Sequence, residues 1–231
     1  KSDGIPGHRL FKSVSVCSVE YCLFSMIERL GPLDFVLLAS EFCSPFQRDL
    51  SRREALTNIK KLQAFSKKHL SGNRQKTFNR LINFVVENAY SPAEISLALL
   101  FSLPHQLGGY GFEKPLLNFT IKTKVSSKKS LDLHPDVYWP SLKIALEYDS
   151  DMYHSGVEQI NKDSAKRALY MANDVKPISV TKEQLTRYDN FVELINAVVK
   201  QSGRRARFSS NDTRYLLHRK MIDYLVEGID L

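Results

Sequence analysis

Cysteine is scarce: the 231-residue chain has three, Cys17, Cys22 and Cys43. An odd number without C-x-x-C spacing argues against a zinc site and against a disulfide scaffold, and points to a reducing, cytoplasmic setting. Long apolar runs are lacking too. The longest uncharged stretch, Ile95–Phe112, carries Pro104, His105, Gln106 and three glycines, so nothing reads as a membrane span. Apolar stretches near the start are interrupted by Glu20, Glu28, Arg29 and Asp34, which is wrong for a secretory signal. The chain opens on Lys1 rather than Met, and the expectation is that a piece of the protein precedes it. Only 10 glycines and 9 prolines, with 43% hydrophobic and 25% charged residues, exclude a disordered or collagenous chain. No internal repeat is present.

Negative charge is missing from one window. Residues 48–80 hold ten Lys and Arg against two acids, whereas the rest of the chain balances, so the net charge of +8 has a location. A basic segment on a neutral body points to a phosphate-bearing partner or an acidic protein surface.

Up to residue 88 the pattern is mainly helical. A helix is predicted over 18–30 with Ser18 as N-cap, and a second over 34–42. Two more are predicted over 54–69 and 75–88, separated by Ser71-Gly72-Asn73. A different pattern starts near residue 89. Ser91-Pro92-Ala93-Glu94 is a helix-start signature, for a helix ending near Leu103. Strands are predicted over 115–125, 131–139 and 142–149, the last two joined at Pro140-Ser141. A helix over 157–173, a strand over 175–181, helices over 190–201 and 212–226, and a tail strand over 204–208 complete the chain. The expected organisation is a basic, mainly helical region over 1–88 and an α/β domain over 89–231.

The chemistry-bearing stretch runs from His134 to His154. Strand alternation puts Ala145, Glu147 and Asp149 on one face and Ile144, Leu146 and Tyr148 on the other. A tight turn would bring Asp136 of the preceding strand near this acid pair. Three oxygen ligands meeting at a strand end can hold Mg²⁺ (or Mn²⁺), which takes one or two carboxylates plus water and phosphate oxygens. The plainer reading is that these acids face solvent and pair with Lys143 or Lys166. Trp139 reads as core packing.

The stretch Ser91–Leu185 resembles the DUF559 branch of the PD-(D/E)XK restriction-endonuclease-like superfamily, related to very-short-patch-repair endonucleases. The shared landmarks are the Ser-Pro-x-Glu helix start, Asp136 with Trp139, Leu146-Glu-Tyr-Asp149, and His154. Asp163 and Arg167 of the next helix and Pro177-Ile-Ser-Val-Thr181 continue them. The resemblance implies a restriction-endonuclease-like mixed sheet flanked by helices, and metal-dependent hydrolysis of DNA phosphodiesters. It gives Asp136 and Glu147 as metal ligands, Asp149 as a further ligand, Glu94 as an acid near the metal, and His154 as general base or water-orienting group. Glu94 also suits a capping box with Ser91. The sequence departs from the superfamily pattern at Glu147-Tyr148-Asp149, where Glu-x-Lys is usual, and at Ser150, where a glycine is expected. The N-terminal part resembles the antitoxin- or regulator-like region that precedes the module in some members.

Candidate phosphate contacts are Lys60, Lys61, Lys67 and Lys68 on a predicted helix, and Lys122, Lys124, Lys128 and Lys129 around the loop before the acids. A third basic cluster is Arg204, Arg205 and Arg207. Arg167 is a phosphate contact or an (i, i+4) partner of Asp163. DNA is the expected partner, with a homodimer or a toxin-antitoxin partner as further readings and no membrane. The rival to an endonuclease is a catalytically inactive nuclease fold acting as a DNA-binding regulator or antitoxin-like protein. A protein-interaction scaffold is a third reading.

Overall fold

A computed structural model describes residues 7–11, 14–45, 47–48, 51–52, 54–126, 129–149, 157–203 and 211–228. The chain divides into two compact units, Lys1–Ser91 with Glu227–Leu231, and Pro92–Val226.

In the first unit, β1 (Gly7–Phe11) and β2 (Val14–Cys17) pair antiparallel, an element the helical reading of this region misses. Helix α1 (Val19–Met26) starts where expected, with the Ser18 hydroxyl accepting from Tyr21 N. Helix α2 (Pro32–Phe42) has proline in its first turn, where a missing N–H costs nothing. The short strands β3 (Gln47–Arg48) and β4 (Ser51–Arg52) pair antiparallel. Helix α3 (Ile59–His69) begins later than expected because Asn58 caps it, its side chain accepting from Lys61 N at 2.9 Å. Helix α4 (Gly72–Ile82) takes Gly72 and Asn73 into its first turn, so the break falls at Leu70-Ser71 instead. Phe24, Phe35, Phe65 and Phe78 bring these helices together through tilted and edge-on ring contacts with centroids 6.0–6.2 Å apart. After α4 the chain is irregular, and serine hydroxyls of the α2 region satisfy it: Val86 N donates to Ser40 Oγ and Ala89 N to Ser44 Oγ.

The second unit is α/β. Helix α5 (Pro92–Ser102) is followed by β5 (Leu116–Leu117), β6 (Ile121–Ser126) and β7 (Lys129–Leu133). Strands β8 (Val137–Trp139) and β9 (Ile144–Asp149) follow, then helix α6 (Val157–Ala172) and β10 (Lys176–Thr181). Helices α7 (Lys182–Thr186), α8 (Tyr188–Ser202) and α9 (Asn211–Glu227) complete it. The mixed four-stranded sheet runs β10-β9-β8-β5, with β10 parallel to β9 and the other pairs antiparallel.

Two predicted strands are each split. Asn118, with φ of +49°, turns the chain between β5 and β6. Pro135 has no N–H for a ladder, and around it β7 leaves for a separate hairpin with β6 while β8 joins the main sheet. The β8–β9 turn spans residues 140–143, so β9 starts at Ile144 rather than at 142. The tail strand expected over 204–208 lies outside the described residues.

Two cores cover the sheet. On one face Trp139, fully buried with its indole N–H on Glu113 O at 2.8 Å, meets Phe101 of α5 and Phe112, and Phe101 in turn meets Phe191 of α8. On the other, Tyr138 and Ala145, paired across β8 and β9, pack with Leu133 of β7 and Tyr170 of α6.

Helix α9 docks through His218, which is 3% exposed and donates from Nε2 to Leu185 O at 2.8 Å, its ring against Tyr188 and Phe191. Burial holds the imidazole below its ordinary value near 6.5, partly offset by the Leu185 hydrogen bond. The unfolded chain therefore takes up a proton that the folded chain resists, so His218 lowers stability as pH falls below about 6.5. His218→Gln, which keeps a donor for Leu185 O, is expected to flatten that fall between pH 7 and 5. Urea unfolding midpoints of both proteins across this range check it, and parallel pH profiles would assign the titration elsewhere.

Candidate functional site

Strand β9 sets the geometry. Its first three residues are buried, and Glu147, Tyr148 and Asp149 continue past the end of β8 into a half-buried rim. Because β8 begins at Val137, opposite Leu146, Tyr148 has no β8 residue facing it. Its amide donates instead to the Asp136 carboxylate, 2.6 Å to Oδ2. This contact fixes the aspartate that precedes β8 against the edge of β9.

Glu147 projects on the Ala145 face, toward α6. Tyr170 Oη donates to its Oε1, and Lys166 Nζ lies 2.8 Å from its Oε2. Lys166 and Tyr170 are four residues apart on α6 and so share one side of the helix. The lysine amine also lies 6.0 Å from the Tyr170 ring centroid. Burial and the Glu147 carboxylate push the Tyr170 hydroxyl well above its ordinary value, so it stays a donor.

Glu94 comes from α5 and is only 6% exposed. Its Oε2 accepts from Asn118 Nδ2 at 2.5 Å, and the Asn118 amide donates to Asp136 O at 3.3 Å. Asn118 thus ties the first helix of the unit to the aspartate.

The carboxylates act on one another. Burial pushes Asp136 up from 3.8 to about 7; the Tyr148 amide opposes this, Glu147 and Glu94 add to it, and Lys166 opposes it. Of the groups acting on Asp136, Glu147 and Glu94 thus oppose its ionisation, while Lys166 and the Tyr148 amide favour it.

The chain matches no family model, no curated protein and no solved structure.

The expected site residues fall into several groups. Glu94, Asp136 and Glu147 share one electrostatic neighbourhood. Asp149 lies on the Glu147 face, two residues further along β9 and opposite Thr181 of β10. Among the described residues, no three His, Cys, Asp or Glu side chains form a ready-made metal cage. His154 and Lys128 lie outside the described residues. Lys122 is exposed on β6; Lys124 and Lys129 belong to the same hairpin through their backbone. Arg167 is exposed on α6 next to Lys166, and Lys60, Lys61, Lys67 and Lys68 are exposed on α3 of the first unit. Among the described residues, no helix is long and apolar enough to cross a membrane.

Three participants are missing from the expected site. The sequence presents Lys166 only as a surface partner for the acids. Tyr170 is legible as its (i, i+4) neighbour, whereas nothing in the sequence around Asn118 signals its double contact.

The raised Asp136 value has a sign that can be measured. The unfolded carboxyl ionises near 4 and the folded one near 7, so the cost to stability is absent below about pH 4 and complete above about pH 7. Asp136→Asn keeps an acceptor for Tyr148 N and removes the charge. In chelator-treated protein it is expected to stabilise by about 2–4 kcal/mol at pH 8 and by far less at pH 4.5. Chemical denaturation at the two pH values checks this; an equal effect at both would refute it.

Proposed function

We propose that the second unit is a metal-dependent endonuclease of the PD-(D/E)XK type, related to the DUF559 branch, that hydrolyses DNA phosphodiester bonds in the cytoplasm. The observation that carries this reading is the juxtaposition of Asp136 and Glu147 at the rim of adjacent strands, with Glu94 near enough to act on Asp136. Burial first, and Glu147 and Glu94 after it, hold the Asp136 carboxyl back from ionising, and a nearby cation favours its charged form. Two carboxylates are the complement that Mg²⁺ or Mn²⁺ accepts alongside water and phosphate oxygens. Asp136 and Glu147 would hold the ion. When bound, it polarises the scissile phosphate and makes an attacking water more acidic. Tyr170 orients Glu147, the Tyr148 amide orients Asp136, and Asn118 keeps Glu94 turned toward its own side chain. His154 remains the candidate base by resemblance.

The exposed lysines of α3 and Lys122, exposed on β6, suit a phosphate backbone, without base readout. A binding-only regulator is the second reading. It is favoured by Asp149, which stands where the motif lysine is usual.

Cleavage of plasmid and oligonucleotide DNA with Mg²⁺ or Mn²⁺ is expected for the wild-type chain, with a loss of about 100-fold or more in Asp136→Ala and Glu147→Ala, the scale of removing charge-stabilising groups. Salt-sensitive binding without cleavage in either metal selects the regulator. Replacing Lys60, Lys61, Lys67 and Lys68 by Gln is expected to weaken DNA binding. It should also reduce the slope of log K against log salt by up to about 0.9 for each phosphate that is no longer neutralised. An unchanged slope would remove α3 from the interface.

A further inference from the structure

Both oxygens of Glu147 are engaged, but by groups of different character. Tyr170, holding Oε1, is 1% exposed and fixed in the core beneath the sheet. Lys166, holding Oε2, has a side chain 44% exposed on the outer part of α6, on a flexible stem with water available to its amine. Only the second contact can open without disturbing packing. The Lys166 charge is also felt by Asp136, so the amine serves both carboxylates of the candidate metal site.

We propose that Lys166 is an internal counter-ion which gives up Glu147 to a divalent metal ion and transfers its amine to a phosphate oxygen of the nucleic acid. The proposal rests on the metal-dependent reading above and deepens it by coupling metal and substrate. No bond is made or broken; one ion pair is exchanged for two. Metal binding frees the amine, and a phosphate gives the freed amine a partner. Each ligand therefore favours the other, and the coupling is reciprocal. Because part-exposed ion pairs are weak, the competition is modest and readily reversed.

Isothermal titration of the full chain with Mn²⁺ tests this without reference to turnover. Lys166→Met keeps the stem and removes the charge, and is expected to bind Mn²⁺ about two- to five-fold more tightly than wild type, the range set by a weak ion pair. A phosphorothioate duplex oligonucleotide is expected to tighten Mn²⁺ binding to wild type but to have a smaller effect on the variant. Lys143→Met, which removes an exposed pair with Asp174, serves as the control and should match wild type. If Mn²⁺ binds wild type and Lys166→Met equally, or the variant more weakly, the counter-ion role is wrong while the metal site stands. If neither binds Mn²⁺, the metal-dependent reading falls, and this proposal with it.

Discussion

A backbone amide at the end of a strand must find an acceptor, and in this protein it finds a carboxylate. Tyr148 lies just past the point where β8 begins, and its N–H is satisfied by Asp136. This one hydrogen bond draws an acid out of water and holds it close enough to Glu147 and Glu94 to feel both. Neighbouring side chains answer these carboxylates. Tyr170 donates to Glu147, Lys166 pairs with it, and Asn118 occupies Glu94. Burying carboxylates together costs free energy unless cations or donors compensate, and such costs concentrate at functional sites.

The sheet makes that arrangement rigid where it matters. Its two faces have separate cores, so β8 and β9 are clamped between the Trp139 cluster and the Tyr138–Tyr170 cluster. Helix α6 connects the two parallel strands and contributes to both the core and the rim: Tyr170 points into the packing while Lys166, one turn earlier, reaches the carboxylate. One helix thus supplies a fixed donor and a movable one to the same side chain.

Sequence reasoning is strongest where local chemistry decides the structure. Ser18 announces its helix because a hydroxyl before an apolar run has an orphan amide to satisfy, and the α6–β10 order follows from periodicity alone. It is weaker where one residue redirects the chain. Pro135 and Asn118 each divide what looks like a continuous strand, and both lie within runs whose apolar pattern does not change. The β1–β2 hairpin is hidden by its shortness. In the candidate site, the alternation of β9 correctly puts Glu147 and Asp149 on one face. The pattern gives no view of Asn118 or of how Asp136 turns back to the Tyr148 amide, because those contacts join segments that only the fold brings together.

The turn over residues 140–143 has a role beyond connecting two strands. Lys143 adopts a left-handed conformation with φ of +53°, and its carbonyl accepts from Lys176 N, so the turn fixes where β9 starts relative to β10 as well as to β8. Side chains alternate along a strand, so a shift of one residue would exchange the two faces. Glu147 would move into the aromatic layer and Tyr148 would take its place beneath α6. The turn therefore works as a ruler for chemistry. Its length, more than the identity of its residues, determines which side of the sheet is acidic, and an insertion there would change the kind of surface the protein presents.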